Sequence, residues 1–371
     1  MIRVTRKNKN NESRLPLTIS AQYGLVDQIS FFNKVVASND MSNYYLLHSG
    51  EFAYNKSYSG DYPWGAIKRL DRYEKGALSS LYICFAPQRV VHSDFLVHYF
   101  ESPKWHKEVS NIAGEGARNH GLLNIAVPDF FNTRHWVPSN RTEQEKIAAL
   151  FNLIEERIQT QKKIIEDLKK LKDAICNLNF TGGSSLTLGD VGYFVRGLTY
   201  SASDVIDDTA GTAVMRSNNI SNGDPVNFDE LIWVNKTPNH DQILRAGDMV
   251  ICMANGSSAL VGKSSYYINS EIELATVGAF CGIYRSDNPL TKWLFQSTHY
   301  KKHLQRSIQG GNGAIANIYP EDILAISFNI PANHKRILNI LNSLEEKHLL
   351  EHKLLCGYLG VKSHLLSQLF I

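Results

Sequence analysis

Two stretches of the chain repeat one pattern, and this duplication constrains the fold more than any other feature of the sequence. The first is LNIAVPDFFNTRHWVP (Leu123–Pro138), and the second is ANIYPEDILAISFNIP (Ala316–Pro331). In both, a proline stands fourteen positions after the asparagine of an Asn-Ile pair, and a long helix-like run follows. Further upstream, SGEFAYNKSYSG from Ser49 matches AGDMVICMANGS from Ala246. Because these matches keep their order along the chain, the sequence predicts two copies of one structural unit.

Each copy is predicted to contain short strands between Gly, Asn and Asp turns, followed by a long helix, which makes the fold class α+β. Matching Gly24 to Gly223 leaves the segment LTLGDVGYF of the second copy without a counterpart in the first. The first domain is therefore expected to lack an opening strand, to be completed by something else, or to have a truncated start. The predicted domains are residues 1–138 (a first mixed α/β domain, shortened at its N-terminus), 139–180 (a first spacer helix), 181–332 (a second mixed α/β domain) and 333–371 (a second spacer helix).

The two long helices carry the clearest periodic pattern. Apolar residues recur at spacings of four and three, and they include Ile147, Phe151, Ile154 and Ile158 in the first helix and Ile337, Leu341 and Leu344 in the second. This spacing is close to a coiled-coil seam. Gln161 and Glu351 fall on equivalent seam positions. There they either fix the register of the seam or face solvent at a gap in it.

Two similar units that each end in a helix predict a pseudo-twofold arrangement, with long antiparallel helices separating the two mixed domains. A single helix from Arg141 to Leu178 would be roughly 57 Å long at 1.5 Å per residue. A helix of that length would hold the domains apart and would not pack them into one core. Twofold-related units spaced along an axis also suit the binding of two half-sites on one DNA duplex. We therefore predict that the helices set the spacing, which would be about 15 base pairs for roughly 50 Å of separation.

Composition limits the class of protein. The chain is 43% hydrophobic and 20% charged, and no apolar run approaches the roughly 18 residues of a membrane span. The start, MIRVTRKNKNNES, is basic but is not followed by an apolar segment, so no signal peptide is predicted. The five cysteines lie far apart without a C-x-x-C pair, which predicts reduced thiols in a cytoplasmic protein and no zinc site. A net charge of +3 permits a nucleic-acid partner without requiring one.

The stretch NGSSALVGKSS, starting at Asn255, nearly matches a nucleotide-binding loop. That motif has four residues between its two glycines, whereas five residues separate Gly256 from Gly262 here. A nucleotide-binding loop also needs a helix directly after its Lys-Ser pair, but the segment SSYYINSEIELA that contains this serine opens with β-formers. The first copy has GAIKR at the equivalent position, with no Lys-Ser. The sequence therefore predicts a polar loop between strands and not an ATP site.

Other candidate chemical sites are weak. HLLEH (His348–His352) has the spacing of one zinc-peptidase class, but it lies inside the heptad run, where a catalytic metal would lack an open coordination position. HYKKH (His299–His303) is interpreted as the surface of a basic helix. The sequence contains no Asn-Pro-Pro-aromatic element of an adenine methyltransferase, and GEGARNHG misses the third glycine of a dinucleotide-binding turn. Nothing in the sequence predicts catalysis or a metal site.

The duplicated plan resembles the specificity subunits of type I restriction-modification systems. The resemblance is carried by WVPSNRTEQEKIAALFNLIEERI, NIPANHKRILNILNSLEEKH and AGDMVICMANGSSALVGKS, and it extends over most of the chain. It implies two target-recognition domains, each reading one half of a bipartite DNA site, and conserved spacer helices between them. The second helix start has no Glu-Gln pair and departs from the family pattern.

The resemblance also implies partners and cofactors. The family's spacer helices bind two methyltransferase (modification) subunits, through which motor-nuclease (restriction) subunits join the complex and cleave unmethylated DNA. S-adenosylmethionine, ATP and Mg are then expected on the partner subunits and none in this chain. The alternatives are the targeting subunit of another DNA-modification or phage-defence complex, and a structural adaptor that does not bind DNA.

Contacts with double-stranded DNA need particular side chains on exposed loops. Phosphates are bound by Lys, Arg, hydroxyl and backbone N–H groups, and base edges by Arg, Lys, Asn and Gln. The candidate residues are Lys56, Ser57, Tyr58, Arg118 and Asn119 in the first copy, and Arg196, Tyr200, Arg216, Asn218, Asn219, Asn255, Ser257, Lys263 and Asn312 in the second. Each alone also fits ordinary loop chemistry, but as a set on matching loops they favour a DNA-binding face.

Overall fold

Each copy of the repeat folds into a unit that also contains parts of both long helices. Unit 1 comprises Met1–Lys162 and Lys353–Ile371, and unit 2 comprises Lys163–His352. The computed structural model describes residues 1–114, 121–179, 183–268, 272–310 and 315–370. The boundary between the two units therefore falls inside both long helices. In the sequence prediction, each helix was a separate segment between domains.

Unit 1 contains two four-stranded sheets, three short helices after them, the beginning of one long helix and the end of the other. Its elements are β1 (Ile2–Arg3), β2 (Pro16–Ser20), β3 (Gly24–Asp27), α1 (Gln28–Phe32), β4 (Tyr45–His48), β5 (Phe52–Asn55), β6 (Ala66–Arg69), β7 (Lys75–Leu78), β8 (Ile83–Ala86), α2 (Ser93–Tyr99), α3 (His106–Ile112), α4 (Val127–Asn132) and the first part of α5 (Arg141–Asn179). The strand orders are β1-β8-β5-β6 and β3-β2-β7-β4.

Unit 2 repeats this plan with additional short strands. Its elements are β9 (Ser184–Thr187), α6 (Leu188–Val191), β10 (Tyr193–Arg196), β11 (Val205–Ile206), β12 (Thr212–Met215), β13 (Ile232–Val234), β14 (Met249–Cys252), β15 (Ala254–Asn255), β16 (Ser264–Tyr266), β17 (Ala275–Val277), β18 (Cys281–Arg285), α7 (Thr291–Gln296), α8 (Thr298–Ser307), β19 (Ala316–Asn317), α9 (Pro320–Leu324), β20 (Ser327–Ile330) and the first part of α10 (His334–Gln368). The four-stranded sheets have the orders β10-β18-β14-β16 and β11-β13-β12-β17, and β15-β19 and β20-β9 form two-stranded sheets.

The central strands are apolar on both faces because each lies between a second sheet and a layer of helices. In β14, Met249 and Ile251 pack in one core with residues of α7 and α8, such as Trp293. Val250 and Cys252 point the other way and pack in a separate core with residues of the second sheet. Since side chains alternate along a strand, this three-layer arrangement explains the continuous apolar run MVIC. In unit 1, β5 is divided between two cores in the same manner.

Equivalent strands pair in the same register, which confirms the repeat. Phe52 is paired with Arg69 across β5 and β6, as Met249 is paired with Tyr266 across β14 and β16. Both units also contain a parallel pair of strands, β2 with β7 and β12 with β17. The three glycine pairs matched by sequence have positive φ in both copies: Gly24 78° and Gly223 89°, Gly50 85° and Gly247 91°, Gly65 76° and Gly262 77°.

The beginning of unit 1 contains a counterpart of β10, although no strand pair among its described residues corresponds to β9 and β20. β1 pairs antiparallel with β8 at one edge of its sheet, as β10 pairs antiparallel with β18 in unit 2. β1 has two residues and β10 has four, so a short strand takes the place of a longer one. β1 could not be predicted from the sequence, because two residues are too few to show the alternating pattern of a strand.

Unit 1 is also completed by the end of the chain. Phe370, two residues after the end of α10, packs between rings of the unit 1 core, with its ring centroid 5.3 Å from Phe95 and 5.5 Å from Phe151. Unit 2 similarly contains the end of α5. Cys176 of this helix is buried in the same core as Ile337 and Leu341 of α10. Each unit therefore depends on a helix segment that follows the other copy in sequence.

Within each unit, the segments of α5 and α10 run antiparallel. In unit 1, Glu155 of α5 accepts a hydrogen bond of 2.7 Å from Lys362 of α10, while the earlier Phe151 contacts the later Phe370. In unit 2 the roles are exchanged, since Lys172 of α5 lies 3.9 Å from Glu345 of α10. Glu155 and Glu345 occupy equivalent positions in the matching runs QEKIAALFNLIEERI and HKRILNILNSLEEKH. The expected antiparallel pairing and internal repeat are thus confirmed within each unit.

The seam residue Gln161 is buried, and Glu351 is half-buried. Burial excludes the interpretation in which Gln161 faces solvent at a gap. That Gln161 fixes the register of the helices stays a prediction.

Among the described residues, no helix combines the length and the apolar character that crossing a bilayer requires.

Candidate nucleic-acid interface

A cavity of about 570 Å³ in unit 2 brings together four of the predicted DNA-contacting residues. Tyr200, Arg216, Asn218 and Asn255 all line it, although they come from three separate loops. Tyr200 follows β10, Arg216 and Asn218 follow β12, and Asn255 ends β15. The cavity is therefore produced by the packing of the two sheets, which brings the ends of these strands together.

The turn after β12 is shaped by Asn219. This side chain is fully buried. Its Oδ1 accepts from the backbone N–H of Arg216 at 2.9 Å, and its Nδ2 donates to the carbonyls of Asn227 at 3.1 Å and Asp229 at 2.7 Å. The amide is thus committed to the turn, which argues against the predicted contact between Asn219 and a base. Its effect is to leave Arg216 and Asn218 exposed on the cavity side.

Asn255 forms hydrogen bonds with two loops of the cavity. Its Nδ2 donates to the hydroxyl of Ser217 at 3.2 Å, and its Oδ1 accepts from the backbone N–H of Ser257 at 3.0 Å. Ser257 is exposed but lies outside the cavity lining. The amide of Asn255 therefore positions the loop after β15 against the turn after β12.

The near-match to a nucleotide-binding loop is a connection between strands, as predicted. The backbone N–H of Gly262 donates to the carbonyl of Cys252 at 2.8 Å, and that of Cys252 donates to the carbonyl of Lys263 at 2.9 Å. The next residues form β16 and not a helix, so the loop does not lead into the helix N-terminus that a nucleotide-binding loop directs at phosphates. Lys263 is half-buried beside this turn and does not line the cavity.

Arg196 and Tyr200 flank the turn after β10. Arg196 is exposed at the end of the strand, and its carbonyl accepts from Nε2 of Gln242 at 3.0 Å. Tyr200 is partly buried against Leu198 and Val214, which holds its ring at the wall of the cavity. Only Tyr200 of the two lines the cavity.

Three of the predicted residues of the first copy, Lys56, Ser57 and Tyr58, occupy the equivalent loop of unit 1. Ser57 forms an antiparallel bridge with Leu122, and the backbone N–H of Tyr58 donates to the carbonyl of Gly121 at 2.9 Å. Lys56 Nζ lies 3.4 Å from the carbonyl oxygen of Ile125, to which it donates. This pairing corresponds to that of β15 with β19 in unit 2. Arg118, Asn119 and Asn312 lie outside the described residues.

The apolar residues of the cavity were not predicted from the sequence. Phe280 and Ile315 are both exposed and line it, together with Ala279. Phe280 lies between β17 and β18 in the segment TVGAFCG. A phenylalanine between Gly278 and Gly282 is the signal that could have indicated a turn with an outward-facing ring.

The cavity lining includes the thiol of Cys281. Cys281 lines the cavity beside Phe280 and is paired with Cys252 across the sheet. A hydrogen bond with Cys252, together with burial, raises the pKa of the Cys281 thiol. Cys281 is therefore protonated at neutral pH and behaves as a small apolar side chain.

Histidine pairs do not form a recognisable metal site. His348 and His352 have ring centroids 4.7 Å apart, and His299 and His303 have theirs 5.1 Å apart. His299 contacts the carbonyl of Ser327 at 2.9 Å. Within the part of the chain that the structure describes, no group of three or more His, Cys, Asp or Glu side chains is placed to hold a metal ion.

The fold and the cavity define a class of protein before any relative is considered. The chain is a duplicated α+β protein whose units share two long helices and present polar loops at the ends of their sheets. No family model matches the chain. Solved structures and curated proteins, however, agree on one group of relatives.

The structural neighbours come from type I restriction-modification systems. A chain in a structure that describes complex assembly of the type I R-M system has a TM-score of 0.57 and 16% identity, and the match covers 99% of this chain and 94% of that one. The S subunit from M. genitalium has a TM-score of 0.54 and 15% identity, with 91% and 87% covered. At these identities the likeness establishes the fold.

The curated relatives are specificity subunits. The chain is 32% identical over 164 residues to that of the type I restriction enzyme EcoKI from Escherichia coli (strain K12), a match covering 40% of this chain and 33% of the relative. It is 30% identical over 176 residues to the StySPI specificity subunit from Salmonella potsdam, covering 44% and 36%. The matches thus span about a third of each relative's length. The predicted resemblance to type I specificity subunits is confirmed in fold and, over these stretches, in sequence.

Proposed function

We propose that this chain is the DNA-specificity subunit of a type I restriction-modification complex. In this proposal, each unit reads one half of a bipartite target in double-stranded DNA. The observation that carries the proposal is the cavity of unit 2, where the folding of separate loops collects Tyr200, Arg216, Asn218 and Asn255. Arginine and asparagine are the side chains best suited to bidentate contacts with guanine and adenine.

The repeat supports a second reading surface in unit 1. Ser57 and Tyr58 lie on the loop that corresponds to the one carrying Asn255, and the strands before these loops pair in the same register. Two related units in one chain suit a target with two separate halves, because each unit presents its own loops to its own half-site.

In this proposal, the partner subunits carry out the catalytic reactions. The chain acts without catalysis and without a cofactor of its own, while S-adenosylmethionine, ATP and Mg bind to the methyltransferase and motor-nuclease subunits. The long helices provide the docking surface for two methyltransferase subunits. Supporting this, several leucines of the helices are exposed, among them Leu153 of α5 and Leu349, Leu350 and Leu354 of α10. Exposed leucines on a helix suit contact with a protein partner.

Selection from a random duplex library tests the proposal. The full chain is used alone and together with its methyltransferase subunits, and the bound DNA is sequenced. We expect enrichment of two short motifs separated by a constant gap. A single continuous motif would contradict the bipartite reading. No enrichment, in the presence of stable methyltransferase binding, would favour a structural adaptor that does not bind DNA.

A further inference from the structure

Phe280 presents an aromatic ring to solvent at the wall of the unit 2 cavity. Its side chain is 63% exposed, and that of Ile315, which lines the same cavity, is 56% exposed. Single exposed apolar residues are common on protein surfaces. Two large ones that share a cavity with Ala279 form an apolar wall, and such a wall is typical of a binding site.

The exposure of Phe280 does not come from a loosely held loop. The carbonyl of Phe280 accepts from the backbone N–H of Met253 at 2.8 Å and from that of Ala254 at 3.1 Å. Two residues earlier, the N–H of Gly278 donates to the carbonyl of Met215 at 2.9 Å. The backbone is thus attached to strands on both sides, so the point from which the side chain of Phe280 projects is fixed before any ligand arrives. Such preorganisation reduces the entropic cost of binding.

Polar side chains also line the cavity. Arg216 and Asn218 are exposed there, and Asn255 is half-buried beside them. In the major groove of DNA, one feature of the base edges is apolar, namely the C5-methyl group of thymine, and it lies among hydrogen-bond donors and acceptors. A cavity with an apolar wall and polar side chains is complementary to such an edge.

From this arrangement we propose that Phe280 is a specificity-determining residue that contacts the methyl group of a thymine in the half-site bound by unit 2. The proposal rests on the proposed function, because it requires that unit 2 binds duplex DNA. The fixed backbone favours contact at a groove edge over insertion between bases, since insertion would require the ring to move out of the cavity wall.

Deoxyuridine isolates the methyl group, because it differs from thymidine by that group alone. Each thymine of the motif enriched by the full chain is replaced by deoxyuridine, one at a time, and the affinity of the complex for each duplex is measured. For the wild type we expect roughly a fourfold loss at one thymine of one half-site, as follows from burying a single methyl-sized group. Phe280→Ala should bind the modified and unmodified duplexes equally, and Phe280→Leu should retain part of the difference.

Trp136 offers a matched control, because it is an exposed aromatic residue of unit 1. Trp136→Ala should keep the wild-type loss at that thymine. The proposal is overturned if the wild type is indifferent to every deoxyuridine, or if Phe280→Ala retains the same loss. Either result leaves an enriched bipartite motif, and with it the proposed function, intact. Absence of any enriched motif would instead overturn the proposed function, and this proposal with it.

Discussion

Asp248 and Arg285 show how single polar side chains hold unit 2 together. Both are buried. Arg285 donates from Nε and Nη2 to the two carboxylate oxygens of Asp248 at 2.8 and 2.6 Å, and further to the carbonyls of Asp241 and Ile243 at 3.1 and 2.8 Å. The hydrogen bonds with Asp248 raise the pKa of the guanidinium. The arginine thus attaches β18 to the loop before β14.

Asp248→Ala should lower the free energy of unfolding by about 3–5 kcal/mol, because it leaves the charge of Arg285 buried without its partner. Glu51 is the repeat equivalent of Asp248 and pairs with Arg6 at 2.7 Å, but Arg6 is exposed. Glu51→Ala should therefore cost about 1 kcal/mol or less. Urea unfolding of the full chain, followed by circular dichroism, compares the two variants. Equal losses would show that burial does not distinguish the pairs.

At the scale of elements, the turns between strands depend on glycines with positive φ. Gly50 and Gly65 have φ values of 85° and 76°. A side chain at Gly50 would meet no atom within 4 Å, whereas one at Gly65 would clash with the carbonyl oxygen of Asn55. Gly65 lies in the turn before β6, beside the loop of Ser57 and Tyr58. Its conformation and the lack of a side chain are both needed for β6 to pair with β5.

Gly65→Ala should therefore destabilise the chain more than Gly50→Ala. For Gly50→Ala we expect a loss of roughly 1–2 kcal/mol from the left-handed conformation alone. Gly65→Ala adds the clash with Asn55 and should exceed that value. The thermal midpoints of the two variants decide the comparison, with the wild type measured alongside. A smaller shift for Gly65→Ala than for Gly50→Ala would contradict the packing of this turn.

For the whole molecule, the two copies create two separate sets of loops in one chain. The candidate residues of unit 2 include Arg216 in the cavity, and those of unit 1 include Tyr58, whose side chain is exposed. If each unit reads its own half-site, changes in one set of loops should alter the preference for only one half of the target. The proposed function thus has a consequence that a protein with a single binding surface would not share.

Arg216→Ala should relax the base preference in one half of the enriched motif, and Tyr58→Ala should change the other half. A lost base contact is worth about 1–3 kcal/mol at the affected position. Library selection with each variant provides the measurement. Arg306→Ala on α8, an exposed arginine outside the cavity, should leave both halves unchanged. Effects of Arg216→Ala and Tyr58→Ala on the same half would contradict the assignment of one half to each unit.

Periodic and local features could be predicted without the structure. The heptad spacing predicted the long helices. The order of the matches predicted the repeat that the strand registers confirm. These features depend on residues close in sequence, so their signals are complete within a short window.

Long-range packing decided the remainder. Arg216, Asn255 and Phe280 are separated in sequence by tens of residues and meet only because two sheets bring their loops to one cavity. Asn219 resembles its exposed neighbour Asn218 as a sequence candidate, yet its amide is buried in the turn. Which side chain is buried, and which loops adjoin, depends on how the layers pack together, and no local pattern carries that information.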